Sequence, residues 1–119
     1  MAETTKIELV TPKRVMVEKS VEMVVFPGVE GLFGVLPRHA PLLAGLKRGV
    51  VELYEDGKVS DRYLIDGGFA DVSGESVKIL AERALILDSS EKGALKIQAA
   101  EATGNEADFL NAAISALEF

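Results

Sequence analysis

The sequence predicts an α+β fold. It reads as an antiparallel β-sandwich of about ten short strands over residues 1–87, then an antiparallel two-helix hairpin over residues 88–119. Three observations carry that reading. Short β-branched and apolar runs recur at close spacing between glycine and proline punctuation, the pattern of a sandwich or barrel. Asp56-Gly57 stands between two strand-like runs, a strong hairpin signal because a type I′ turn needs φ > 0 at both positions. Near Asp88 the apolar period changes from alternation to helical spacing.

The elements follow in order. Residues 6–10 alternate, and Thr11-Pro12 ends them. Residues 14–18 and 21–26 are the next two strands, with Lys19-Ser20 between them. Residues 50–55 and 58–65 are the arms of the Asp56-Gly57 hairpin. Residues 69–72 and 77–81 flank the turn Ser73-Gly74-Glu75-Ser76, and residues 84–87 make a last short strand. No long helical pattern interrupts them, which argues against a parallel βαβ sheet.

In the tail, Asp88 precedes Glu91 by three, close to a capping box, and Leu95, Gln98, Ala99 and Ala102 keep helical spacing. Gly93 weakens the first turn by about 1 kcal/mol relative to alanine. Thr103-Gly104-Asn105 is a stop and a fresh cap. Ala107, Leu110, Ala113, Ile114 and Leu117 form one stripe of a second helix, and so short a turn makes the pair antiparallel.

The chain is organised around residues 26–46. This stretch has three glycines in nine residues (Gly28, Gly31, Gly34), three prolines in fifteen (Pro27, Pro37, Pro41) and the only histidine, His39. Glycine permits positive φ and proline fixes φ, so tight shaped turns are expected between short strands. The other residues are largely apolar: Val29, Leu32, Phe33, Val35, Leu36, Leu42, Leu43 and Leu46. They must enter a core or face a partner. No acid occurs between residues 31 and 51, whereas Arg38, Lys47 and Arg48 do, a local reversal of sign in a chain of net charge -6.

Composition excludes several function classes. The length suits one domain with a small appendage, and the hydrophobic share of 48% is that of a soluble globular protein. No apolar run approaches the ~20 residues of a membrane span. The first residues, Met1-Ala2-Glu3-Thr4-Thr5, resemble neither a signal peptide nor a transit sequence. The absence of cysteine excludes disulfides and thiolate chemistry and fits a cytoplasmic protein. The acidic balance argues against nucleic acid.

Catalytic and metal chemistry find little support. One histidine without cysteine excludes a Cys-His pair or a histidine-rich metal site. No serine lies in a nucleophile-elbow setting that would make His39 a catalytic base. It reads better as a turn or interface residue. Gly67-Gly68 lacks the phosphate-loop pattern and a following helix, and reads as a bulge or close backbone contact. No cofactor or metal is expected. The function classes left are a non-catalytic subunit that binds neighbours and, as the alternative, a nucleotide-sensing regulatory domain.

The run Pro27-Gly28-x-x-Gly31-x-x-Gly34-Val35-Leu36-Pro37-x-His39-Ala40-Pro41-Leu42-Leu43 resembles the signature of the epsilon subunit of F-type ATP synthases, called delta in mitochondria. Gly49-Val50-Val51 and Ile65-Asp66-Gly67-Gly68-Phe69-Ala70-Asp71-Val72 resemble two further segments of that family, in the same order. The resemblance implies a sandwich followed by a helix hairpin. It implies a non-catalytic rotor subunit on the cytoplasmic face of a bacterial inner membrane, peripheral to it. The partners would be gamma and the membrane c ring, and transiently alpha and beta. Carried over by position, the c-ring contacts are Glu30, Gly31, Leu32, Arg38, His39 and Ala40, and Gly28, Gly34, Pro37, Pro41, Gly67 and Gly68 are structural. Many members have an acidic or polar residue where Leu32 stands and glycine where Arg38 stands.

Some bacterial members bind ATP through a motif beginning Ile/Leu-Asp and continuing to an arginine and an alanine. Here Leu87-Asp88 begins it, but Ser89-Ser90-Glu91-Lys92-Gly93 follows and no arginine occurs after Arg83, so no nucleotide site is expected. In bacterial relatives the hairpin can open and block hydrolysis. Residues 105–119 carry no lysine or arginine but do carry Glu106, Asp108 and Glu118, so the hairpin is expected to stay folded, with self-inhibition minor.

Overall fold

A computed structural model describes residues 3–87 and 104–117. Alternation builds the strands. In β1 (Thr5–Val10), Thr5, Ile7 and Leu9 point inward and are buried while their neighbours are not. The following strands are β2 (Val15–Val21), β3 (Met23–Gly28), β4 (Gly31–Val35), β5 (Leu42–Leu46) and β6 (Gly49–Glu55). β7 (Lys58–Ile65) ends with Tyr63, Leu64 and Ile65 all buried, because both of its faces are covered there, whereas alternation is plain again in β8 (Gly68–Val72) and β9 (Ser76–Leu80), and β10 (Ala84–Ile86) is the last strand. The strands hydrogen-bond in the order β10-β7-β6-β3-β5-β8-β9-β1-β2, with β4 on the other side of β3.

β3 joins the two layers. Its start pairs with β6, whereas its last residue, Gly28, pairs with Leu46 of β5. One layer is therefore β10-β7-β6-β3-β4 and the other β5-β8-β9-β1-β2. Their inner faces share one core, with Ile7, Leu9, Phe26, Leu53, Ile65 and Ile79 among its fully buried side chains. At the opposite edge, Lys19 of β2 ion-pairs with Glu55 (3.0 Å) and Asp61 of the facing layer. Burial works against that charge, but the bonds to Asp61 and Glu55 hold the ammonium above its ordinary pKa.

Two expectations need correction. β1 pairs with β9 in parallel, so the sandwich is not wholly antiparallel. Parallel neighbours need a long crossover, and here nearly the whole domain serves as one. The break expected at Lys19-Ser20 also falls later. β2 runs through both residues, because Lys19 turns toward the carboxylates of the facing layer, and the chain breaks at Glu22, whose N–H donates to the Tyr54 carbonyl at 2.8 Å. The Asp56-Gly57 turn has φ of 55° and 74°, the two positive values a type I′ hairpin requires.

Helix α1 (Gly104–Leu117) packs on the outside of the first layer. Phe109 and Leu110 are buried against Leu64 and Leu87. Phe109 was not in the expected stripe; it is buried because its ring lies under the Arg83 guanidinium, 5.0 Å from the centroid. Leu110 and Ile114 do face the sandwich, whereas the side chains of Ala107, Ala113 and Leu117 lie outside the described residues. The first helix expected in the tail, and the stretch after Leu87 compared with the ATP motif, also lie outside them.

Candidate functional site

The glycine- and proline-rich stretch folds into β4, β5 and the turns around them. Gly28 and Gly31 close the β3–β4 turn opposite each other. The turn is tied to β5 by Val29 N–H donating to the Gly45 carbonyl and Lys47 N–H to the Pro27 carbonyl, both 3.0 Å. With its backbone fixed, the turn holds apolar side chains in water: Leu32 is 76% exposed and Val29 63%. Beside it lies a hollow of about 300 Å³ lined by Phe26, Phe33, Leu42 and Leu43. Val35 and Leu46 enter the core, while Leu32, Leu36 and Leu43 stay outside. The stretch thus meets both needs set by its apolar content.

Arg38, His39 and Ala40 lie beyond the other end of β4. Arg38 adopts φ of 65°, its N–H donates to the Gly74 carbonyl (3.1 Å), and its guanidinium pairs with Glu3 (2.7 Å). His39 folds back along the strand. Its Nδ1–H donates to the Ala40 carbonyl (2.7 Å), and its ring meets Phe33 edge-on at 5.4 Å. Phe33 in turn stacks on Phe26, also at 5.4 Å. Glu30, Gly31 and Leu32 are therefore one turn, Arg38 is drawn toward the β8–β9 turn, and Phe33 is the bridge between Leu32 and His39. Among the described residues, the contacts of His39 are a carbonyl and an aromatic ring, not a serine or a carboxylate. Among the described residues, no group of three or more His, Cys, Asp or Glu is arranged to hold a metal.

The basic character read from the sequence is largely neutralised. Arg38 pairs with Glu3, and Arg48 pairs with Asp66 at 3.1 Å. Between residues 31 and 51 only Lys47 makes no ion pair among the described residues.

A second apolar surface was missed in the sequence. Register aligns Gly45, Phe69, Leu80 and Val10 across β5, β8, β9 and β1 on the outer face. Phe69 is 59% exposed and Leu80 47%. Gly45 has no side chain to fill the row, so a groove of about 670 Å³ opens there, with Val29, Leu46, Phe69 and Leu80 on its walls. Gly68 makes the row possible: a Cβ there would overlap the Leu80 carbonyl oxygen and come within 2.9 Å of the Ala81 Cα. The available signal was the alternation of β8. Phe69 shares its face with charged Asp71, whereas Ala70 and Val72 face inward.

No helix among the described residues is long and apolar enough to cross a membrane. The model of the ATP synthase delta/epsilon chain β-sandwich domain matches residues 4–86. The ATP synthase epsilon chain of Rhodospirillum rubrum is 47% identical over 103 residues, which span 85% of this chain and 77% of that one. That of Granulibacter bethesdensis is 38% identical across 96% of this chain and 90% of its own. Among solved structures, a chain of the Euglena gracilis mitochondrial ATP synthase assembly of OSCP, F1 and c-ring matches with a TM-score of 0.66 at 22% identity, covering 97% of this chain and 78% of that chain. One from the Tetrahymena thermophila mitochondrial ATP synthase central stalk and c-ring matches with a TM-score of 0.61 at 12% identity, covering 96% and 90%. At those identities the structural likeness is one of fold, whereas the sequence matches are close and span most of the chain. The chain belongs to the delta/epsilon family of ATP synthase subunits.

Proposed function

We propose that this chain is a non-catalytic rotor subunit that links gamma to the c ring and so couples proton translocation to ATP synthesis. The observation that carries the reading is the apolar surface held in water by a rigid scaffold, from Leu32 and Val29 through Leu43 to Phe69 and Leu80. Exposed apolar patches of this kind are a mark of protein association. The names of the relatives, ATP synthase epsilon chains, make the assembly concrete.

In this reading the sandwich, residues 1–87, is the docking unit. Residues 88–119 are a helix hairpin that stays against it and adds only minor regulation of hydrolysis. The turn at Glu30, Gly31 and Leu32 and the loop at Arg38, His39 and Ala40 meet the c ring. Gamma covers the groove beside Phe69. The work is done at the cytoplasmic face of a bacterial inner membrane, without insertion.

Reconstitution of the assembled complex tests the reading. Leu32→Asp, and separately His39→Ala with Arg38→Glu, lower retention on the c ring while the isolated chain stays folded. Retention at the wild-type level in both would remove these loops from the contact. ATP is not a ligand in this reading, and calorimetry finding micromolar binding by the isolated chain would reinstate the nucleotide sensor.

A further inference from the structure

The signature histidine faces back onto its own chain. β4 is an edge strand, paired with β3 and with no other strand among the described residues. Phe33 stands opposite Phe26 in that pairing, half-buried, its ring stacked on the fully buried ring of Phe26. Two residues before it on the same face is Gly31, which has no side chain to flank the ring. His39 supplies a flank from outside the strand, its imidazole edge-on to Phe33 at 5.4 Å. The loop that delivers it is fixed at several points. Pro37 and Pro41 bound it, each with φ set by its own ring. Arg38 turns the chain at φ of 65°, and its N–H is held by the Gly74 carbonyl at 3.1 Å. The His39 N–H donates to the Leu36 carbonyl at 3.2 Å. The Ala40 carbonyl, 2.7 Å from Nδ1, can only accept, so Nδ1 carries the hydrogen. Phe33 directly follows Leu32 and walls the hollow beside the turn at Glu30, Gly31 and Leu32.

We propose that His39 is a positioning residue: its imidazole, anchored on its own loop, props Phe33 against Phe26 and so locks the turn at Glu30, Gly31 and Leu32 to the loop at Arg38, His39 and Ala40 as one seat. This deepens the reading of those two segments as the c-ring contact and rests on it for the partner. The geometry gives a reason for a histidine at this place. A ring is needed to meet Phe33, and a donor on that ring is needed to hold it still. Phenylalanine offers only the ring and asparagine only the donor. The other long side chain of the loop, Arg38, is drawn away to Glu3 at 2.7 Å, which leaves the tie to β4 to His39. The three rings carry the placement inward. His39 lies on Phe33, Phe33 on Phe26, and Phe26 is wholly buried in the core. A surface loop is thereby registered against the core without a strand pairing. One such aromatic contact is equivalent to roughly two- to tenfold in a local opening equilibrium.

Amide hydrogen exchange on the isolated full chain, followed by c-ring retention in the assembled complex, is the test. In His39→Ala, the β4 amides bonded to β3 and the Val29 amide of the turn exchange roughly two- to tenfold faster, while those of β1 and β9 stay protected. His39→Asn, which keeps a donor but no ring, behaves as His39→Ala. His39→Phe, which keeps a ring, stays within about twofold of the wild type. In a Phe33→Leu background His39→Ala adds nothing further, because the contact it removes is already gone. Retention on the c ring follows the same order, with His39→Phe close to the wild type. Wild-type exchange in His39→Ala, or a His39→Asn that matches the wild type, would overturn the prop. So would a His39→Phe that loses retention with exchange unchanged, since His39 would then itself touch the partner. Faster exchange in His39→Ala with full retention supports the prop and removes the c-ring reading instead. If Phe33→Leu also loosens β1 and β9, the comparison of His39→Phe with His39→Asn decides alone.

Discussion

β8 carries two apolar surfaces back to back. On its inner side Ala70 and Val72 are wholly buried, whereas on its outer side Phe69 is 59% exposed. The inner surface meets the opposing layer, and its burial drives folding at ~25 cal/mol per Å². The outer one sets Phe69 beside charged Asp71 and is left in water, so for its apolar part the same coefficient is still available for association. Hydrophobicity alone does not separate core from docking face. The direction of alternation on each strand does, and so does the identity of the neighbours on each face.

Substitutions on the two sides should therefore act on different quantities. Leu53→Ala, in the core, should lower folding stability by about 3–4 kcal/mol in urea unfolding. A loss below ~1 kcal/mol would mean the layers are not close-packed. Gly68→Ala stands at the junction of the two surfaces. Its φ of 124° and the overlap with the Leu80 carbonyl should cost about 2–3 kcal/mol, read in the same way. Phe69→Ser, on the outer side, should change folding by less than ~0.5 kcal/mol yet weaken capture of gamma about tenfold, or 1.4 kcal/mol. A large folding loss with capture intact would reverse the assignment of that face.

Smaller effects sharpen the contrast at the edges. The Arg48 hydrogen bond, against burial and with help from Arg83, holds the Asp66 carboxylate below its ordinary pKa of 3.8. A lowered carboxylate contributes stability that is complete above the ordinary value and lost as pH falls through the lowered one. Asp66→Asn should therefore flatten the acid limb of the stability–pH curve, by under about 1 kcal/mol. An unchanged acid limb would show that the carboxylate is not favoured by folding. Arg38→Gly should gain about 0.5 kcal/mol, since glycine takes φ of 65° without a Cβ penalty and the exposed pair with Glu3 contributes little. Thermal melts are sensitive enough to read that sign.

Much of the sandwich was legible in local signals. Strand alternation and the Asp56-Gly57 turn are short-range features, and they located eight of the ten strands to within a few residues; β4 and β5, inside the glycine- and proline-rich stretch, were read as turns. The family signature was equally legible, because glycines, prolines and one histidine in fixed order are rare together. What escaped notice depends on partners far apart in sequence. Nothing local shows that β1 lies parallel to β9, or that Lys19 turns toward Glu55 and Asp61 instead of ending a strand. The groove at Gly45 and Phe69 needed the register of four strands, and the corner at Asp66 needed residues 48, 66, 83 and 109 brought together from separate elements. The positive charge near Arg38 was overestimated because its partner, Glu3, is distant along the chain.

The parallel pairing of β1 with β9 also sets an order of events in time. β1 leaves the ribosome well before β9, and its neighbour on one side is β2, close behind. Its neighbour on the other side, β9, ends at Leu80, opposite Val10, about 70 residues later. At ~5–20 residues per second the β1–β2 hairpin, complete at Val21, waits on the order of 3–12 s with an unpaired edge. Only the arrival of β9 closes that layer, so the high contact order of one strand pair makes completion of the sandwich a late and cooperative step.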